Sequence, residues 1–95
     1  MTRDTYTFGD SPVAADRLRL LAEVYAAPSA DLLGRYVPHG PALALDLGCG
    51  PGHTTTLLHR VTGAARTIGV ERSPAYLALA REQAPPGVEY VEQDV

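Results

Sequence analysis

Apolar residues in this chain fall into short runs and helical stripes that glycine and proline separate. The clearest run is Leu43-Ala44-Leu45-Asp46-Leu47, which leads directly into Gly48-Cys49-Gly50-Pro51-Gly52. Such a run predicts a strand of a parallel sheet that can be buried on both faces. The spacing then becomes helical over 54–62, and Gly63 is the predicted stop. The sequence therefore predicts a strand, a glycine-rich turn and a helix.

The segment before this unit predicts helices. Ser11-Pro12 is a helix start, because serine can cap the exposed amides and proline fits the first helical position. We expect this helix to end at Ala27, since the residue before Pro28 is disfavoured in a helical conformation. A second, shorter helix is expected over 30–36. Residues 1–38 are thus predicted to form an N-terminal helical segment.

The segment after residue 63 predicts two more strands around one helix. Residues 67–71 are short and β-branched, which favours a strand. Ser73-Pro74 repeats the helix-start signal, and that helix is expected to reach Ala84. Residues 88–91 alternate polar and apolar side chains, which suits a strand at a sheet edge. Residues 39–95 therefore predict one α/β unit with parallel strands.

Glycine spacing in the turn narrows the class of ligand. Gly48, Gly50 and Gly52 are evenly spaced, whereas the dinucleotide fingerprint is G-x-G-x-x-G, and His53 stands where the last glycine would be. Asp46 would repel a diphosphate at close range but suits an ammonium group. These features favour a ligand with an amino-acid end. An NAD(P)-dependent Rossmann oxidoreductase, which the same βαβ pattern also fits, is the alternative enzyme class.

The stretch Leu45-Asp46-Leu47-Gly48-Cys49-Gly50-Pro51-Gly52 closely resembles the first motif of class I S-adenosylmethionine-dependent methyltransferases. The resemblance implies S-adenosyl-L-methionine as cofactor and a three-layer Rossmann-like α/β fold. Of the seven strands in a complete domain of that family, this chain would hold the first three, in the spatial order third, second, first. We therefore expect an N-terminal part of the domain, poorly stable or self-associating in isolation.

The resemblance also implies roles for individual residues. Asp46 and the glycine loop would hold the amino-acid end of the cofactor. Glu71 ends the second strand, where an acid can accept hydrogen bonds from ribose hydroxyls. Asp94 and Val95 match the family's adenine contacts. The predicted cofactor-binding residues are Asp46, Gly48, Cys49, Gly50, Gly52, Glu71, Arg72, Asp94 and Val95. The visible sequence identifies no catalytic residue.

Composition constrains the partners. The formal net charge is -3 and arginines are scattered among acids, so nothing favours nucleic acid or an anionic membrane surface. Cys49 is the single cysteine, which excludes an intramolecular disulfide and favours a reducing compartment. The sequence shows neither a leader nor an apolar stretch of about 20 residues, so we expect a cytoplasmic protein. His53 and His59 lie on different faces of one helix, and no metal site is predicted.

The leading functional hypothesis is the cofactor-binding N-terminal half of a methyltransferase that acts on a small molecule. The acceptor class depends on the acidic composition and on the lack of an appended nucleic-acid or peptide module in this stretch. A truncated, inactive fragment is the non-enzymatic alternative. The methyl acceptor, the atom that is methylated and the oligomeric state are not indicated by the sequence.

Overall fold

The computed structural model describes residues 11–94 as one long helix followed by alternating strands and helices. Every predicted strand is present, and the ends of the three strands and of the two helices between them lie within two residues of the predicted ends. The elements are α1 (Pro12–Tyr36), β1 (Leu43–Leu47), α2 (His53–Thr62), β2 (Arg66–Glu71), α3 (Pro74–Glu82) and β3 (Val88–Glu92).

The three strands form one parallel sheet in the order β1-β2-β3. Leu47 is opposite Val70, and Glu71 is opposite Glu92, so the carboxyl ends of all three strands meet at one end of the sheet. This arrangement confirms the Rossmann-like α/β fold class and the spatial order third, second, first. It also places the segments that follow the three strands next to one another.

The prediction of two N-terminal helices was wrong. α1 runs without a break through Pro28 to Tyr36. Proline in a helix interior removes one amide donor and crowds the carbonyl four residues earlier, here that of Val24. Pro28 and Val24 both lie on the exposed side of α1, where water can bind that carbonyl. The helix therefore continues through Pro28, because the missing hydrogen bond falls on its solvent-facing side.

Local capping explains the other helix ends. Ser11 Oγ accepts a hydrogen bond from the Ala14 amide at 3.1 Å, and Ser73 Oγ accepts one from the Tyr76 amide at 3.2 Å. Gly63 ends α2 in a left-handed conformation with φ of 67°. These caps confirm the predicted start of α1, the predicted start of α3 and the predicted end of α2.

Both crossover helices pack on the same face of the sheet, where the core lies. Its buried members come from α3, β3 and the glycine loop: Leu77, Ala80, Val88, Tyr90 and Cys49. The Tyr90 ring lies directly on β2, because an added Cβ at Gly69 would come within 2.6 Å of ring atom Cε1. This contact fixes β3 against β2 directly below the glycine loop.

The opposite face of the sheet is left open by the described residues. Leu43, Leu45 and Leu47 on β1 are 48%, 55% and 62% exposed, and Val91 on β3 is also exposed. Residues 11–94 therefore supply the sheet and the helices on one side of it, which are two of the three predicted layers. The prediction that both faces of β1 are buried does not hold within this part of the chain.

Candidate cofactor site

A tight turn joins β1 to α2 and forms the centre of the candidate site. Gly48, Gly50 and Gly52 all have positive φ values, of 69°, 58° and 95°. Side chains other than glycine rarely adopt this left-handed conformation. Three such residues in five allow the chain to turn sharply at the end of β1 and to enter α2 directly at His53.

The amides of this turn are used within the protein. Gly48 and Cys49 donate to the Val70 carbonyl at 2.8 and 3.0 Å. The Gly50 amide donates to Oε1 of Glu71 at 2.7 Å. Gly52 donates to the Cys49 carbonyl, and Pro51 has no amide hydrogen. Three of the four amides in this turn therefore bond to the end of β2.

Asp46 links the end of β1 to the first turn of α2. Its Oδ2 atom accepts hydrogen bonds from the hydroxyls of Thr54 and Thr55, each at 2.8 Å. Within residues 11–94, no hydrogen bond is made by the other carboxylate oxygen, Oδ1, which keeps its acceptor capacity. The side chain is half-buried. Asp46 can therefore bond to the first turn of α2 through Oδ2 and still accept a hydrogen bond from a ligand at Oδ1.

Glu71 is almost completely buried, with 1% of its surface exposed. Besides the Gly50 amide, its carboxylate accepts hydrogen bonds from the amides of Arg72 and Ser73 at Oε2, both at 3.0 Å. The predicted ribose acid is therefore in place at the end of β2, but three main-chain donors converge on it. Arg72 follows at the same point and is half-buried.

The remaining predicted residues are less closely connected. Asp94 is exposed and follows the end of β3, at the same end of the sheet as Asp46 and Glu71. Val95 lies outside the described residues. The structure thus joins the glycine turn to Glu71 by a hydrogen bond, places Asp46 two residues before that turn, and places Asp94 two residues beyond the adjacent strand.

The glycine turn borders a cavity of about 280 Å³, which α1 closes on the other side. The family resemblance implies helices of the N-terminal segment beside the cofactor cleft, but the sequence did not indicate which residues of α1 would line it. The sequence signal for this role is the row of apolar residues along one face of α1. Two of them, Leu21 and Tyr25, line the cavity and are 52% and 59% exposed. The lining residues are Leu18, Leu21, Ala22, Tyr25, Gly48, Cys49, Gly50, Pro51, His53 and Thr54.

His53 lies at the start of α2 and faces this cavity. Burial lowers the pKa of its imidazole, and the positive charge of Arg19 lowers it further against an opposing effect of Glu23. The side chain is therefore neutral near pH 7, where it can donate or accept a hydrogen bond but carries no charge. The dipole of α2, at whose N-terminus His53 lies, also disfavours the protonated form.

Cys49 is buried in the turn, and only 4% of it is exposed. Burial raises the pKa of its thiol to about 11, and the charge of Asp46 acts in the same direction. A thiol with this pKa holds very little thiolate at neutral pH and is a poor nucleophile. Its side chain packs in the core, and its amide donates to the Val70 carbonyl.

We expect Cys49 to resist alkylation in the folded protein. At pH 8, iodoacetamide should modify it at least about tenfold more slowly than in the same chain unfolded in urea, because both burial and the raised pKa reduce the reactive thiolate. Mass spectrometry of timed samples measures both rates. Equal rates in the two states would show that the turn does not bury this thiol.

Neither a metal centre nor a membrane span is found in the described part of the chain. No three His, Cys, Asp or Glu side chains of residues 11–94 are grouped so as to hold a metal ion. None of its helices has the length and apolar character that crossing a bilayer requires.

Comparison with known proteins agrees with this geometry. The sequence pattern of the methyltransferase-domain family matches residues 44–95, from β1 to the last residue. Trans-aconitate 2-methyltransferase of Shigella flexneri is 44% identical over 68 residues, which are 72% of this chain and 27% of that enzyme. The chain therefore spans about a quarter of the length of the curated relatives it matches.

Solved structures show the same fold. The complex of the Haloferax volcanii methyltransferase activator Trm112 with a methyltransferase gives a TM-score of 0.73 at 25% identity, over 99% of this chain and 41% of that one. A methyltransferase of Thiobacillus denitrificans, solved with S-adenosyl-L-homocysteine, gives a TM-score of 0.52 at 25% identity, over 68% and 28% of the two chains.

The glycine turn, the acid before it and the family match define a class I S-adenosylmethionine-dependent methyltransferase domain. This chain belongs to the methyltransferase-domain family over residues 44–95. The resemblance inferred from the first motif is thereby confirmed, and the family assignment favours the methyltransferase class over the nicotinamide-dependent oxidoreductase class.

Proposed function

We propose that this chain binds S-adenosyl-L-methionine at the carboxyl end of its sheet and forms the donor-binding part of a methyltransferase. The observation that carries the proposal is the hydrogen bond from the Gly50 amide of the glycine turn to Glu71, with Asp46 bonded to the first turn of α2 beside it, in a chain of this family. The S-adenosyl-L-homocysteine bound by the Thiobacillus denitrificans relative supports the choice of cofactor.

The proposed contacts follow the order of the strands. The amino-acid end would lie against the loop residues and Oδ1 of Asp46, beside the cavity under α1. The ribose would lie at the end of β2, near Glu71 and Arg72, and the adenine near Asp94 and Val95. Strand order supports this assignment, because a ligand that crosses from β1 to β3 meets these groups in sequence. The predicted division into a helical segment, 1–38, and a donor-binding unit, 39–95, remains part of the proposal.

Bound S-adenosyl-L-methionine supplies an activated methyl group on a sulfonium, which an acceptor takes by in-line displacement as the carbon–sulfur bond breaks. The contribution of this chain is to hold the donor in a fixed orientation, since alignment of the reactants can supply a large part of catalysis. The proposed donor contacts do not include a proton acceptor for the methyl acceptor. We therefore expect the 95-residue chain to bind the donor without turnover.

A small molecule is the proposed methyl acceptor. The trans-aconitate 2-methyltransferase relative acts, by its name, on a small carboxylic acid, and its similarity covers 72% of this chain. Trans-aconitate is accordingly the first acceptor to test with a longer form of the protein. No nucleic-acid or membrane partner is proposed, and the cytoplasmic location remains an expectation from the sequence.

Replacing Asp46 with asparagine should weaken donor binding. Asparagine keeps an oxygen for the threonine hydroxyls but removes the charge that would face the ligand ammonium, so we expect affinity for S-adenosylhomocysteine to fall about tenfold. Isothermal titration calorimetry measures this change. Asp31→Asn, which alters an exposed ion pair with Arg35 on α1, is the matched control and should bind as the wild type does.

Titration with NAD is the second control. The wild-type chain should bind S-adenosylhomocysteine and show no heat of binding with NAD. Binding of NAD alone, or unchanged affinity in Asp46→Asn, would contradict the proposed site.

A further inference from the structure

The buried carboxylate of Glu71 accepts hydrogen bonds from three main-chain amides, and these bonds are not needed to bind a ribose. Oε1 accepts from the Gly50 amide at 2.7 Å, and Oε2 accepts from the amides of Arg72 and Ser73 at 3.0 Å each. An ionised carboxylate has about four acceptor positions, and three are occupied here. The side chain is also 1% exposed, which leaves little access for a ligand.

The contact with Gly50 joins two parts of the chain that are 21 residues apart. Together with the bonds from Gly48 and Cys49 to the Val70 carbonyl, it ties the glycine turn to the end of β2 at three successive residues. The bond to Glu71 is the only one of these three made to a side chain, so it is the one that a substitution can remove.

We propose that Glu71 is a positioning residue that braces the glycine turn through the Gly50 amide. Its effect on donor binding then acts chiefly on the amino-acid end, through the placement of the turn, and not only through the ribose hydroxyls. The negative charge matters because hydrogen bonds to an ionised acceptor are shorter and stronger than neutral ones. The brace itself depends only on contacts within this chain, whereas its effect on ligand affinity rests on the proposed function.

Gly50 is suited to receive this contact. Its φ is 58°, and among the described residues an added Cβ would meet only one atom within 4 Å, Leu18 Cδ1 at 3.9 Å. Described side chains therefore pack loosely on the Cβ side of Gly50, where Leu18 of α1 is the nearest. The hydrogen bonds to β2 are the contacts that connect this part of the turn to the sheet.

The first test measures the Gly50 amide without ligand. In Glu71→Gln, we expect hydrogen exchange at Gly50 to accelerate at least about tenfold, because the charged acceptor of that amide is lost. Glu92→Gln is the matched control, since Glu92 is the register partner of Glu71 at the end of β3 and is exposed. Unchanged exchange at Gly50 in a folded Glu71→Gln protein would overturn the brace.

A measurement on the wild-type chain keeps the proposal testable if Glu71→Gln does not fold. Scalar coupling across the hydrogen bond between the Gly50 nitrogen and the Glu71 side-chain carboxyl carbon reports the contact directly. The bond from Gly48 to the Val70 carbonyl, at 2.8 Å, is an internal reference in the same turn. Coupling at Gly50 that matches the reference supports the brace, and coupling at Gly48 alone overturns it.

The second test separates bracing from ribose contact. We expect Glu71→Gln to lose about tenfold in affinity for S-adenosylhomocysteine and a similar factor for its 2′,3′-dideoxy analogue. A residue that acted only on the ribose hydroxyls would show a much smaller loss with the dideoxy ligand, and that result would overturn the proposed effect on the amino-acid end. If the wild-type chain bound neither ligand, the proposed function and the affinity effect would fail, while the Gly50 measurements would still decide the brace.

Discussion

Replacing Gly52 with alanine should destabilise the protein by about 3 kcal/mol or more. Gly52 has a φ of 95°, which is strained for any side chain, and it is the N-cap residue directly before α2. An added Cβ would lie 2.5 Å from the Tyr90 hydroxyl oxygen and 3.0 Å from the Ala80 Cβ. Both neighbours are buried, so the new methyl group can be accommodated only if the turn or the core moves. Urea denaturation followed by circular dichroism measures the loss.

Gly48→Ala is the matched control for Gly52→Ala. Gly48 lies in the same turn with a φ of 69°, but an added Cβ would have no atom of residues 11–94 within 4 Å. We expect a loss of about 1–2 kcal/mol from backbone strain alone. Equal losses for the two variants would show that crowding of the added Cβ at Gly52 by Tyr90 and Ala80 does not contribute to the loss of stability. Adding Tyr90→Phe to Gly52→Ala should recover part of the loss, because it removes the nearest atom.

Leu77→Ala should be the second most damaging of the substitutions considered. Leu77 is completely buried on α3 and belongs to the core that holds this helix against β3. Truncating a buried leucine removes its transfer free energy and leaves a cavity, so we expect a loss of about 3 kcal/mol in the free energy of unfolding. Thermal and urea unfolding give two independent estimates of the change.

Leu79→Ala makes the same chemical change two residues along the same helix. Leu79 is 38% exposed, and its truncation leaves less of a cavity, so we expect a loss of about 1 kcal/mol or less. Comparable losses at the two positions would mean that α3 does not present Leu77 to the core. A large loss at Leu79 alone would reverse the assignment of the buried face.

Local signals were sufficient to predict most of the α/β unit. Ser73 before Pro74, Gly63 after α2 and the apolar run of β1 each define an element end through short-range chemistry, and those ends are confirmed. Pro28 is the exception, because its effect depends on what surrounds the helix. Only the three-dimensional structure shows that its side of α1 faces solvent, where the lost hydrogen bond is tolerated.

The sequence indicated which residues lie at the candidate site, but not the hydrogen bonds that join them. The sequence indicated Asp46, the glycines and Glu71 as neighbours at the ends of strands, because parallel strands bring those ends together. It could not show that the amides of the turn bond to β2, since that depends on the register between β1 and β2. For the same reason, the burial of Glu71 and the cavity under α1 became visible only in the folded chain.

Two-dimensional amide NMR of the 95-residue chain, with S-adenosylhomocysteine and with NAD as control, tests donor binding at this site most directly. We predict shifts confined to the ends of the strands and the facing helix, at Gly48–Gly52, Glu71, Asp94 and Tyr25, with S-adenosylhomocysteine only. Shifts with NAD instead, or shifts with neither ligand in a folded chain, would contradict donor binding at this end of the sheet.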